Sequence, residues 1–264
     1  MNKTYFFMAG LPRSGNTLLS SILNQNPNLH VGANSPVAYL AYQLQNAIPT
    51  REEYINFPKP NFINKIIRST FDDYYSDIES EYIIDRSGAW GNLANIEIIK
   101  KYITKDIKII CPVRNITEIL TSFIVACNNN PNNFIDKRIG LVNNENRCEF
   151  LMKKGSMIDI CLTSYYTSFL PGYENCFHFV DYDDLVSDIE SEIRKLYSFL
   201  DIPLYDHSYQ NIEQYSVNGQ TYDDSIYGID LHSLRSTIKK ESTDPSIVLS
   251  QELIEKYSNM EFWK

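Results

Sequence analysis

The chain opens on Thr4-Tyr5-Phe6-Phe7-Met8-Ala9, an almost wholly apolar, aromatic-rich run that ends at Gly10. A run of that length reads as a strand buried on both faces. From Thr17 the period changes: Leu18, Leu19, Ile22 and Leu23 are apolar with polar residues between them, and Asn26-Pro27-Asn28 stops the pattern. That is helical spacing, so the chain begins strand, glycine loop, helix. Residues 29–31 read as a second short strand and 37–47 as a helix, closed by Pro49 and Pro58-Lys59-Pro60; a further helix is expected over 62–75. Strands follow over 82–85 and 107–113, separated by a helical stretch over 92–103. Strand and helix in alternation predict a parallel sheet joined by right-handed crossovers.

Residues 116–126 continue as a helix and run into Asn128-Asn129-Asn130-Pro131-Asn132-Asn133, a polar stretch that is either a plain surface connection or a mobile, substrate-facing element. One long helix is expected over 145–168, then a strand over 176–180. Leu185, Ile189, Ile193, Leu196 and Leu200 give an amphipathic helix that stops before Pro203. Beyond it the chain is polar and rich in tyrosine, with 251–257 its clear helix. With no internal repeat and no break in composition, residues 1–264 are expected to form one domain.

Composition narrows the classes. At 264 residues, 43% hydrophobic and 22% charged, the chain can bury a sizeable core, which excludes disorder and collagen-like repeats. No apolar run approaches the roughly 18 residues of a membrane span, and Met1-Asn2-Lys3-Thr4 leads into a strand with no signal-peptide pattern. The five cysteines, Cys111, Cys127, Cys148, Cys161 and Cys176, are widely spaced and form no C-x-x-C pair. They suggest neither a disulfide framework nor a zinc site, and a reducing, cytoplasmic setting is expected. A net charge of -9 and a pI near 5.0 argue against nucleic acid or an anionic membrane as partner. An anionic ligand therefore needs a locally positive pocket.

Gly10-Leu11-Pro12-Arg13-Ser14-Gly15-Asn16-Thr17 supplies a candidate, with the spacing G-x-x-x-x-G-x-T between a buried strand and a helix. In that context successive backbone amides and the positive end of the helix form an anion site, and the glycines permit the tight turn. Asn16 stands where nucleotide triphosphatases carry the lysine that reaches the terminal phosphates. Arg13 supplies a planar, forked cation from inside the loop instead.

The stretch Leu-Pro-Arg-Ser-Gly-Asn-Thr-Leu closely resembles the 5′-phosphosulfate loop of sulfotransferases, enzymes that use 3′-phosphoadenosine 5′-phosphosulfate (PAPS) and need no metal. The resemblance implies a P-loop-type parallel β-sheet flanked by helices, with Pro12, Arg13, Ser14, Gly15, Asn16, Thr17 and Leu18 around the donor. It also implies a 3′-phosphate site, which Ile109-Ile110-Cys111-Pro112-Val113-Arg114 and the following helix match. Arg114 leaves the carboxyl end of a strand, where α/β sheets place ligands, and Ser122 lies about two helical turns on. Tyr182-Asp183-Asp184-Leu185 resembles the Tyr-Glu-x-Leu segment of tyrosylprotein sulfotransferases and their bacterial relatives, which implies that Tyr182 contacts the nucleotide. Leu231-His232-Ser233-Leu234-Arg235 resembles the carboxyl-terminal part of the bacterial members. There Arg235 or His232 either closes over the nucleotide or packs.

The chain also departs from that pattern. Asn34 occupies the position of the catalytic glutamate of the tyrosylprotein enzymes, and asparagine cannot take a proton. Asp85-Arg86 sits where the family has a lysine at the transferring group. Arg86 is suited to stabilise charge on the bridging oxygen; Asp85 is either a base or half of an ion pair that holds a strand end. His30 is a third candidate base, or a packed histidine. A phenol with a pKa near 10 needs little help from a base, so the missing glutamate favours phenolic small molecules or peptidyl tyrosine as acceptor over sugar alcohols. An atypical P-loop kinase and a catalytically inactive nucleotide-binding scaffold are the competing readings, and the oligomeric state is open, a homodimer included. Positive potential is expected in one cleft around Arg13, Arg86 and Arg114.

Overall fold

The computed structural model describes residues 3–217, 219–234, 238, 240 and 243–263. β1 (Thr4–Met8) leads through the glycine loop to α1 (Asn16–Leu23), followed by β2 (Leu29–Asn34), α2 (Val37–Ala47), α3 (Glu52–Asn56) and α4 (Phe62–Tyr74). β3 (Tyr82–Arg86), α5 (Leu93–Ile98), β4 (Ile109–Val113) and α6 (Ile116–Asn129) come next. Then come α7 (Asn144–Met152), α8 (Met157–Tyr165), β5 (Phe177–Asp181), α9 (Tyr182–Ser187) and α10 (Ile189–Leu200). Near the end lie α11 (Pro245–Val248) and α12 (Gln251–Tyr257).

The five strands pair in the order β2-β3-β1-β4-β5, all parallel. Because successive side chains on a strand point to opposite faces, each strand feeds two cores. Tyr5, Phe7 and Ala9 enter one layer with Phe71, Trp90, Phe123 and Tyr165; Phe6 and Met8 enter the other with Leu19, Ile22, Val180 and Leu196. Helices thus cover both faces, as the alternating elements predict. No helix among the described residues is long and apolar enough to cross a membrane.

Three expected elements are divided. The helix expected over 145–168 breaks into α7 and α8 at Gly155, which takes a left-handed φ of 78°, and Ser156 restarts it by accepting from the Asp159 amide at 3.2 Å. The amphipathic run up to Leu200 breaks at Asp188, whose carboxylate caps α10 through the Ser191 amide. The helix after Asn92 ends in a π-helical turn over Ile99–Ile103. In each case the apolar period continues through the break, so periodicity alone reads straight across it.

The asparagine run is partly built into the fold. Asn128 and Asn129 belong to α6, and Asn133 is fully buried, its side-chain oxygen accepting from the amides of Ile135 and Asp136. Asn128 Oδ1 accepts from Arg147, which is paired with Asp136 at 2.7 Å. The run buttresses a buried ion pair. Between α10 and α11 the described residues have little regular structure; there the Tyr215 amide donates to Ser21 Oγ of α1 (3.3 Å) and Tyr222 Oη accepts from the Asn34 amide at the end of β2 (2.7 Å).

The larger core is organised by aromatic rings. Phe71 on α4 meets Tyr5 edge-on at 5.4 Å and Trp90 at 5.8 Å between ring centres. Replacing it leaves a void that rigid strands close poorly. Phe71→Ala is expected to cost about 3–5 kcal/mol in urea denaturation, and a loss below about 1 kcal/mol would mean that the cluster collapses around the gap.

Candidate active site

The glycine loop keeps pairing with β4 beyond the end of β1: the amides of Ala9 and Leu11 donate to the carbonyls of Ile110 (2.8 Å) and Pro112 (2.9 Å). It then turns through two left-handed residues, Arg13 (φ 63°) and Gly15 (φ 83°). A side chain at position 15 would be strained, and its Cβ would lie 3.0 Å from the Tyr182 ring. Ser14 is fully buried, with its hydroxyl within hydrogen-bond reach of the carbonyls of Leu11 (2.6 Å) and Pro112 (2.9 Å). Asn16 Nδ2 donates to the same Leu11 carbonyl at 2.6 Å. Both side chains hold the loop in shape. Gly15 at the head of α1 provides no side-chain cap. The first amides of that helix therefore lack a side-chain acceptor, the condition in which a helix start attracts an anion.

Above this loop lies a cavity of about 420 Å³ whose lining includes Pro12, Arg13, Gly15, Asn16, Thr17 and Leu18. Arg86, Arg114, Ser122 and Tyr182 reach it from β3, from the end of β4, from α6 and from α9. Arg13 Nε donates to Ser122 Oγ (3.1 Å) and its Nη1 to the Leu231 carbonyl (2.8 Å), so the loop and α6 meet directly. Arg114 pairs with Glu118 at 2.8 Å, donates to the Arg13 carbonyl at 3.2 Å and lies 4.3 Å above the centre of the Tyr182 ring. Arg86, buried, donates to Ser20 Oγ (3.2 Å), the Gly32 carbonyl (3.3 Å) and Tyr215 Oη (3.2 Å). Three guanidinium groups thus line one cavity of an otherwise acidic chain.

The two side chains expected as bases lie elsewhere. Strand alternation sends Asp85 away from Arg86, into the other core. Its carboxylate is fully buried and accepts from Trp90 Nε1 (2.6 Å), Ser35 Oγ (2.6 Å) and Tyr75 Oη (2.7 Å). Burial pushes the Asp85 carboxyl up to about 6, against the pull of those donors and of Arg86. It is a buried anchor for three side chains and does not line the cavity. His30 also points to that layer, edge-on to Tyr75 with ring centres 5.9 Å apart, and burial pushes it down to about 4. Neither group is placed to take a proton from a ligand in the cavity.

Beside the cavity stands a carboxylate that sequence reasoning passed over. Glu118, one helical turn after Arg114, pairs with it and faces Lys240 at 3.6 Å, while Lys240 also meets Asp183 at 2.6 Å. Its spacing of four from Arg114 was the available signal. His232 lines the cavity with its ring stacked on Tyr222 and Nδ1 held by Asp224. Nothing in the irregular, tyrosine-rich segment marks that pairing. Asn34 lines the cavity as well. Arg235 lies outside the described residues.

The family model described as the sulfotransferase domain matches residues 3–226. No curated protein sequence matches the chain. Among solved structures, the sulfotransferase domain from the curacin biosynthetic pathway is 18% identical, with 96% of this chain and 92% of that one covered at a TM-score of 0.56. Mouse sulfotransferase SULT7A1 complexed with PAP is 14% identical over 98% of this chain and 82% of that one, also at 0.56. A sulfotransferase from Alicyclobacillus acidocaldarius is 14% identical over 77% and 83%, at 0.50. These likenesses show a shared α/β fold.

The Asp85 carboxyl gives the site region a signature in stability. Its folded pKa lies above the free value of 3.8, so the folded state holds the extra proton between about pH 4 and pH 6, and its contribution falls as pH rises through that window. An asparagine, neutral throughout, mimics the protonated form. Asp85→Asn is therefore expected to cost more stability near pH 4.5 than near pH 7, compared with the unaltered chain in urea melts. A cost that grows with pH would place the carboxyl below its free pKa.

Proposed function

The chain belongs to the sulfotransferase domain family, and from that premise we propose that it moves the sulfuryl group of PAPS to a hydroxyl acceptor, with residues 1–264 acting as one catalytic domain. The observation that carries the donor is a cavity cationic at two places. The loop amides and the α1 start offer one; Arg114, Arg13 and Ser122 offer the other, with Arg13 Nε donating to Ser122 Oγ and Arg114 to the Arg13 carbonyl. Such a site fits a nucleotide that is anionic at both its 5′ and 3′ positions better than one with a single polyphosphate arm. The mouse relative was solved with PAP, which supports the same donor class here.

When bound, PAPS supplies a sulfuryl group already activated for displacement. The chain's own residues have the remaining tasks. The amides of residues 12–17 hold the 5′ end, and Gly15 leaves room there for Tyr182. Arg114 grips the 3′-phosphate with Ser122, its guanidinium kept in place by the ring of Tyr182 and the carboxylate of Glu118. Arg86 faces charge that grows on the leaving oxygen. Sulfuryl transfer, like phosphoryl transfer, depends mainly on positioning and electrostatics.

For the acceptor, a phenolic small molecule or a peptidyl tyrosine fits best. Phe123, Met157 and Ile160 give the cavity an apolar wall, and Asn34 cannot serve as a base. The five free cysteines fit a reducing, cytoplasmic setting. A kinase reading suffers from Asn16, which spends its amide on the loop itself rather than on a terminal phosphate.

Two measurements test this reading. Adenosine 3′,5′-bisphosphate is expected to raise the melting temperature more than Mg-ATP does, and PAPS is expected to be consumed in the presence of a phenol panel; no stabilisation by the bisphosphate sinks the proposal. Arg114→Ala is expected to weaken the bisphosphate by about 10- to 100-fold, the range for charged hydrogen bonds, and to erase preference over the nucleotide lacking the 3′-phosphate. An unchanged preference would assign the 3′-phosphate to another cation.

A further inference from the structure

His232 stands on the cavity wall in a setting that few surface histidines have. Its Nδ1 lies 2.6 Å from Asp224 Oδ1, and its ring is stacked on Tyr222 at 3.6 Å and 3° from parallel. Asp224 is itself held: its Oδ2 accepts from the amides of Leu231 (2.8 Å) and His232 (2.9 Å). Tyr222 is tied to the end of β2, where its hydroxyl accepts from the amide of Asn34 at 2.7 Å. The carboxyl-terminal segment therefore brings an oriented imidazole to the cavity that Asn34 also lines.

The ring's chemistry follows from that geometry. A carboxylate only accepts, so Nδ1 carries the proton toward Asp224 and Nε2 presents its lone pair. This is the carboxylate–imidazole arrangement in which the acid fixes tautomer and orientation and the imidazole exchanges the proton. The charged groups around it come from three elements: Asp224 and Asp230 on its own segment, Arg13 from the glycine loop and Arg86 from β3. Burial, Arg86 and Arg13 push the imidazole below its usual 6.5, Asp224 raises it, and burial prevails. At neutral pH the ring is in its basic form.

We propose that His232 is the general base of the transfer and that Asp224 is its positioning residue. The proposal rests on the sulfuryl-transfer reading above. His232 Nε2 takes the proton of the acceptor hydroxyl while that oxygen's electron pair forms the new O–S bond. The bond between sulfur and the 5′-phosphate bridging oxygen breaks, and its pair leaves with adenosine 3′,5′-bisphosphate. The proton remains on the imidazolium and is lost to solvent. With such a base the chain reaches alkanol acceptors as well as phenols.

The test uses the full chain and three readouts: bisphosphate affinity by thermal shift, turnover with phenols and alkanols of graded pKa, and histidine ring titration by NMR. His232→Asn is expected to keep bisphosphate affinity within about twofold. With alkanols it should lose turnover by roughly 10²- to 10⁴-fold, the usual range for general bases, with a loss that shrinks as acceptor pKa falls. In the unaltered chain turnover should fall as pH drops through the His232 titration seen by NMR. Asp224→Asn removes the group that raises His232, so that titration should move to lower pH. Turnover of the His232 variant within about threefold of the unaltered chain, or an equal loss for all acceptors, overturns the assignment of the base. If the His232 variant does not fold, an unmoved titration in Asp224→Asn overturns it instead. Failure of the donor reading looks different, because the unaltered chain would then neither bind the bisphosphate nor consume PAPS.

Discussion

A parallel sheet buried on both faces leaves its polar chemistry one outlet, the carboxyl ends of its strands. The strand interiors here feed two apolar layers, and a charged group placed there must either be neutralised by donors, as Asp85 is, or be absent. At the strand ends each chain segment leaves the ladder and can turn a side chain toward solvent. All five ends do so around one cavity: Arg13 after β1, Asn34 at the end of β2, Arg86 at the end of β3, Arg114 after β4 and Tyr182 after β5. The location of the site is thus a consequence of how the sheet is buried, and the loop after β1 is central because β1 is the middle strand.

Bringing three guanidinium groups together costs free energy unless their charge is met. Each is met differently. Arg86 donates to three neutral oxygens, and Arg13 bonds a carbonyl and a hydroxyl. Arg114 pairs with the carboxylate of Glu118 at 2.8 Å, and the Asp230 carboxyl is held down in part by the charge of Arg13. Neutral acceptors orient a guanidinium without cancelling its charge, so Arg86 keeps its pull on an anion although the chain carries -9. With a Debye length of about 8 Å at physiological salt, acidic groups on distant faces oppose an anion in the cavity only weakly.

Much of this was legible in the sequence. The strand-loop-helix opening, the parallel sheet and the cluster of Arg13, Arg86 and Arg114 follow from apolar runs, glycine spacing and strand-end positions. Of the two readings of Asp85, the sequence already favoured the structural one: neighbours on a strand face opposite ways, so Asp85 points away from the face that Arg86 takes. That the Ser14 hydroxyl is taken up by the carbonyls of Leu11 and Pro112 shows only in the fold. The breaks at Gly155 and Asp188 were hidden by an apolar period that runs through them. The pairing of His232 with Asp224 depends on a turn without regular structure, and no periodicity encodes such a turn.

Two kinds of scaffold consequently meet in the cavity. The residues proposed to hold the donor stand at strand ends or in a loop that extends the ladder, so backbone hydrogen bonds fix their positions. His232 belongs to a segment held mainly by side chains: Ser21 under Tyr215, Tyr222 on Asn34, Asp224 on its own two amides. Arg13 belongs to both, since one of its nitrogens bonds the Leu231 carbonyl, next to His232. An anion that draws Arg13 toward itself must compete with that bond. The donor end of the cavity and the placement of the proposed base are therefore mechanically linked, through Arg13 on the Leu231 carbonyl and through Arg86 on Tyr215 Oη, so changes in residues 215–232 act on acceptor chemistry and donor binding together.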